Sequence, residues 1–185
     1  ELAAWEGRRE TEKSMWERLK LYWDTVPSFG WDGSVGVPWS AVFVSHVVGG
    51  DFPASASHYK YVKKAMEDDS PWEVYSVEKN LDRVELQPGD VLVKPRGGSD
   101  YNSHGAVVYK VENGVAEVVG GNVGNTAKVE DRIPVDERGR PTEGMGPWLL
   151  IMKRRASPLR IVGGIAGLLA IIAAPFAAFR IFKKR

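Results

Sequence analysis

The side chains available for chemistry in this chain are defined first by what is missing. Among 185 residues there is no cysteine, which excludes disulfide staples, Cys-ligated zinc and thiolate catalysis. Three histidines remain: His46, His58 and His104. No two of them have the short helical spacing that a metal site uses, so neither a metal nor any other cofactor is implied. His46 and His58 fall in helical stretches rich in apolar neighbours, where a hydrogen-bonded structural imidazole is the commoner role. His104 stands at the head of a strand-like run, Ser103-His104-Gly105-Ala106-Val107-Val108.

Charge narrows the field further. Lys and Arg total 25 against 24 Asp and Glu, but the eight basic residues from Lys153 onward have no acidic counterpart. Removing those eight leaves 17 basic against 24 acidic residues before Lys153, a body of net −7 followed by a tail of net +8. An acidic body has no clustered Lys and Arg for phosphate, so nucleic acid is excluded as a partner.

The elements that must position these residues divide into a helical first third and a strand-rich remainder, an α+β pattern with N-terminal helices and an antiparallel sheet. Residues 10 to 26 carry Met15, Leu19, Tyr22 and Val26 on one helical stripe, with Trp16 and Trp23 beside it. Pro38-Trp39-Ser40 opens an apolar helix to about Val48, and Ser57 caps another to about Met66. Strands are expected at residues 74–77, 90–93, 106–112, 115–119, 127–133 and 148–152. Asn113-Gly114 between two β-rich runs signals a two-residue hairpin.

The tail reads differently. Ile161 to Phe179 is a run without a charge, which as a helix would span about 28 Å and match a bilayer core of about 30 Å. This predicts a domain over 1–152, a basic linker over 153–160, a transmembrane helix over 161–179 and a basic tail over 180–185. Gly163 and Gly167, with Ala166, Ala170, Ala174 and Ala178, would form a small-residue stripe able to pack against a second helix. The lipid bilayer and other membrane subunits are then the expected partners. Four basic residues flank the span on each side, so orientation is a tie. The chain begins with Glu1 rather than Met, consistent with a removed signal segment. Taken together these features predict a single-pass protein of the bacterial inner membrane with a periplasmic domain.

Four short motifs occur in a suggestive order: Pro38-Trp39-Ser40-Ala41-Val42-Phe43-Val44-Ser45, Pro88-Gly89-Asp90-Val91-Leu92-Val93, the His104 run, and Gly120-Gly121-Asn122. In this order the chain resembles the NlpC-type and CHAP-type papain-like cell-wall peptidases over roughly residues 10 to 135. Nearest among them is an uncharacterised bacterial family with a Trp-Ser-Ala motif at the helix start and a second motif here read as Ser57-His58-Tyr59-Lys60-Tyr61. The resemblance implies a nucleophile at a helix N-terminus, a histidine at a strand start and a polar residue that orients the imidazole, which map onto Ser40, His104 and Asn122. A two-residue turn at Asn113-Gly114 would set His104 opposite Val123, and a bulge at Gly120-Gly121 would be needed to bring His104 and Asn122 to one face.

The position that holds cysteine in the superfamily's enzymes is Ser40, whose hydroxyl cannot form a thiolate–imidazolium pair and needs a base during attack. Each residue also has a structural use: Ser40 beside Pro38 has the pattern of a helix N-cap, and His104 and Asn122 suit a strand entrance and a loop. Two functions follow. One is a non-catalytic accessory subunit of a membrane assembly, a papain-like domain without its cysteine. The other is a membrane-tethered peptidase or amidase acting on peptidoglycan through Ser40, His104 and Asn122.

Overall fold

A computed structural model describes residues 1–96 and 102–156. Five α-helices and six strands are defined there: α1 Leu2–Trp5, α2 Trp16–Asp24, α3 Ser40–Val48, α4 His58–Ala65, α5 Val77–Asn80, and β1 Trp72–Ser76, β2 Val91–Pro95, β3 Ser103–Glu112, β4 Val115–Gly120, β5 Lys128–Pro134, β6 Leu150–Arg154. The strands form one sheet in the order β1-β6-β2-β3-β4-β5, antiparallel throughout.

The stripe Met15, Leu19, Tyr22 and Val26 is buried as its spacing predicts, but the α-helix is shorter than residues 10–26. Residues before it bond elsewhere: the Glu10 N–H donates to the Asn125 carbonyl at 2.9 Å, and the Arg9 N–H to Glu12 Oε1 at 2.9 Å. Local and tertiary bonds thus hold the segment out of the helix. In α3, Ala41, Val42, Phe43 and Val44 are all buried, so this helix is enclosed on every side. The strand expected from Asp90 begins at Val91, because the Asp90 carboxylate accepts the Gln87 N–H at 2.7 Å and pairs with Lys153. Lys153 and Arg154 belong to β6 rather than to a linker; Arg154 pairs with Asp51 at 2.7 Å.

Alternation divides the sheet's side chains between two cores. Val91, Val93, Val119 and Met152 join the aromatic core beneath α1 to α4, while Leu92, Ala106, Val108, Val118 and Ile151 face a second core with Val84, Leu86, Met145 and Trp148. The Asn113-Gly114 turn has φ of 50° and 76°, the positive pair that a tight hairpin turn requires and that Asn and Gly tolerate.

The expected transmembrane helix is corrected. Among the described residues no helix is long and apolar enough to cross a membrane. The longest, α2 and α3, have nine residues each, about 14 Å against a bilayer core of about 30 Å. The described residues therefore form a mixed α/antiparallel six-stranded domain in which no helix can span a membrane, and single-pass anchoring in an inner membrane is unsupported. The segment 161–179, with Gly163, Ala166, Gly167, Ala170, Ala174 and Ala178, lies outside the described residues.

Candidate functional site

The register of β2 and β3 places Lys94 directly opposite His104, so the two side chains leave the same face of the sheet. Ala106, two residues along β3, pairs with Gly120 of β4. In β5 the partner of Val118 is Asp131 and that of Val119 is Val129, leaving Glu130 as the extra residue of a bulge. Its carboxylate lies over Gly120, where a Cβ would collide with Glu130 Oε1 and come within 2.8 Å of its Cδ. Across that gap Glu130 Oε1 meets His104 Nε2 at 2.8 Å and Oε2 accepts from Lys94 Nζ at 3.1 Å. Lys94 Nζ also lies 4.1 Å above the Trp148 ring centre, within cation–π range, and Trp148 Nε1 donates to Asp131 Oδ2 at 2.6 Å.

The three side chains are largely buried, with 7 % of the Glu130, 4 % of the His104 and 22 % of the Lys94 side chain exposed. Burial pulls the Glu130 pKa upward, but the His104 hydrogen bond and charge, aided by Lys94, outweigh it and leave the carboxyl below its ordinary range.

On the other side of β3 a second group closes in. Gly105 has room for no Cβ: one would strike Tyr61 Oη and lie 2.6 Å from His58 Cδ2. The His58 and His104 ring centres are 5.8 Å apart. His58 Nε2, Tyr61 Oη, Ser103 Oγ and His104 Nδ1 are buried without a hydrogen-bond partner. Burial, with the His104 and Arg96 charges adding to it, pushes the His58 pKa down to about 3, so this imidazole stays neutral at ordinary pH.

Ser40 is the first residue of α3, behind Trp39 as N-cap, and no side-chain bond caps the helix there. Its hydroxyl is therefore not the N-cap group that Pro38-Trp39-Ser40 suggested. Phe43, on the next turn, packs against Gly121, where a Cβ would lie 2.5 Å from the Phe43 Cβ. Thus α3 covers the face that Gly105 and Gly121 share, whereas His104 and Lys94 point to the opposite one. No hydrogen bond joins Ser40 to His104 or Asn122 to His104 among the described residues. A bulge does correct the β3–β4 register, but at Tyr109 and not at Gly120-Gly121. Continued past Ala106–Gly120 that register would set Asn122 level with His104; β4 instead ends at Gly120, and Asn122 turns away with φ 58°.

The arrangement can hold an imidazole rigidly by one nitrogen and leave the other without a proton-transfer partner. A His–carboxylate pair of this kind orients a base, yet no nucleophile hydrogen-bonds to His104 Nδ1. No group of three His, Cys, Asp or Glu side chains among the described residues could hold a metal ion. Lys94, Glu130 and Trp148 are absent from the residues singled out by sequence. Lys94 could have been found from the β2–β3 register, whereas Glu130 depends on a bulge that its surrounding sequence, Lys128 to Ile133, does not announce.

A six-stranded antiparallel sheet with helices on one face and a buried Lys–Glu–His chain on the other defines the class of domain. Residues 26–153 match the family model described as an uncharacterized protein conserved in bacteria (DUF2272), and the chain belongs to that family. No curated protein and no solved structure matches the chain.

Proposed function

We propose that this domain is a non-catalytic accessory subunit of papain-like descent, in which serine replaced the cysteine and which works by binding a partner rather than by hydrolysis. The observation that carries the reading is the division of the candidate triad: Ser40 begins the helix on one face of the sheet, and His104 is held by Glu130 on the other. Nucleophilic serine chemistry needs the base within hydrogen-bond reach of the hydroxyl, about 3 Å. A serine sealed under a helix bundle, with 2 % of its surface exposed, is also poorly placed to meet a polymer such as peptidoglycan.

The test compares the full chain with Ser40→Ala for cleavage of peptidoglycan and model amides and for labelling by serine-reactive phosphonates. Absence of turnover and labelling in both proteins is the expected result. Turnover lost in Ser40→Ala would reinstate the peptidoglycan peptidase using Ser40, His104 and Asn122.

A further inference from the structure

A small cleft, with about 10 Å³ of space for a water-sized group such as an ammonium, opens between α2, the turn through Gly33 to Val37, and Trp39. Trp16, Trp23, Trp31, Trp39 and Glu10 are among the residues that line it. Trp23 and Trp31 lie nearly parallel, 13° apart with centres separated by 6.1 Å. The turn that carries Trp31 is self-braced: Trp31 Nε1 donates to the Ser34 carbonyl at 3.1 Å, and the Ser34 N–H to Asp32 Oδ1 at 2.9 Å. At the rim, Trp16 and Val35 are 41 % and 52 % exposed.

Glu10 is the unusual member. Only 3 % of it is exposed, and its side chain accepts from the Trp39 indole N–H through one oxygen. No cation pairs with it among the described residues; Arg8 and Arg9, its neighbours in sequence, are exposed, and Arg8 bonds the Met15 sulfur. A buried carboxylate without a positive partner is costly, and the cost falls when a cation enters beside it. Indole rings around the same opening attract a cation through their faces, and the net −7 body before Lys153 favours its approach.

We propose that this cleft binds the side-chain ammonium of a lysine-type residue presented by a partner peptide. The carboxylate accepts N–H donors, which a quaternary ammonium lacks. An unbranched methylene stem lets the ammonium alone enter so small a space, while the stem lies along the exposed Trp16 ring at the rim. An α-amine, by contrast, carries peptide bulk on the adjacent carbon. The site shares no residue with Ser40 or His104, so its failure leaves the hydrolysis test untouched, and the reverse holds too.

The experiment titrates tryptophan fluorescence of the full chain with Nα-acetyl-lysine N-methylamide, and in parallel with its norleucine analogue, glycine N-methylamide and tetramethylammonium. Saturable quenching by the lysine compound is expected, with the other three at least about tenfold weaker, the size of one charge-assisted contact. Glu10→Gln should weaken lysine binding about tenfold, and Trp31→Ala about threefold. Since Glu10 also holds Trp39, circular dichroism checks that Glu10→Gln folds; should it not, the lysine-to-norleucine ratio in the half-buried Trp31→Ala variant decides, and it must fall. Equal binding of norleucine would make the cleft merely apolar and overturn the proposal. So would equal binding of the glycine amide or of tetramethylammonium, or no saturation by lysine.

Discussion

The two faces of the sheet solve the same spatial problem with opposite chemistry. On the helix face, Gly105 and Gly121 remove side chains so that His58, Tyr61 and Phe43 can press against the backbone; on the other face, Gly120 removes one so that a carboxylate can reach across a strand. Gly120 and Gly121 are adjacent, and each clears the opposite side. None of these three has a positive φ, so space and not backbone freedom explains them. One face is made rigid by aromatic packing, and the other by the buried hydrogen-bonded chain of Lys94, Glu130 and His104. The comparison teaches that a Gly-Gly pair at the end of a strand can mark two close approaches where a sequence reader expects a bulge.

The sharpest way to break this contrast is to remove the charge centre. Glu130→Ala strands His104 and Lys94 and should cost about 3 kcal/mol in urea unfolding; a cost below about 1 kcal/mol would mean that the charges are solvated. On the helix face, Gly121→Ala places a methyl against the Phe43 Cβ, which cannot swing away, and a loss of about 2 to 3 kcal/mol is expected in the same assay. Gly105→Ala meets the ends of Tyr61 and His58 instead and should cost somewhat less.

Acid separates the two faces in another manner. His58 is neutral in the fold down to about pH 3 but takes up a proton in the unfolded chain below about pH 6.5. The unfolded state then binds more protons, so stability falls as pH drops through that window, by up to about 1.4 kcal/mol per pH unit. His58→Gln should flatten this slope in denaturation curves between pH 6.5 and 5, and an unchanged slope would show that His58 is hydrated. Glu130 contributes in a lower window: its carboxyl lies below the usual range in the fold, so its share is present above the unfolded value of about 4.3 and is lost as pH falls through the folded one. Smallest of all should be Ser40→Ala, within about 1 kcal/mol of the parent in stability.

Much of the fold is legible in the chain because it rests on local periodicity. The Met15–Val26 stripe, the apolar Ala41–Val44 helix and the Asn113-Gly114 hairpin all follow from side-chain spacing or turn chemistry within a few residues. The site was harder. His104 stood out as one of three histidines, but its partner did not: a bulge at Tyr109 and another at Glu130 reset which residues share a face, and neither bulge is marked by a glycine. The resemblance to peptidases pointed to Asn122, which lies beyond the end of β4. Glu10 was hidden for the reverse reason, since an acidic residue inside a predicted amphipathic helix reads as part of its solvated face.

By itself the sequence determined the chemistry that is absent, through its lack of cysteine, and the succession of helices before strands, because composition and short-range spacing act without knowledge of the fold. Only the tertiary structure decided which side chains meet. A strand's side chains alternate, so one extra residue anywhere along a ladder exchanges its faces, and that exchange is a property of paired strands that no single segment contains. It is why His104 belongs with Glu130 and Lys94, and why Ser40 lies across the sheet from all three.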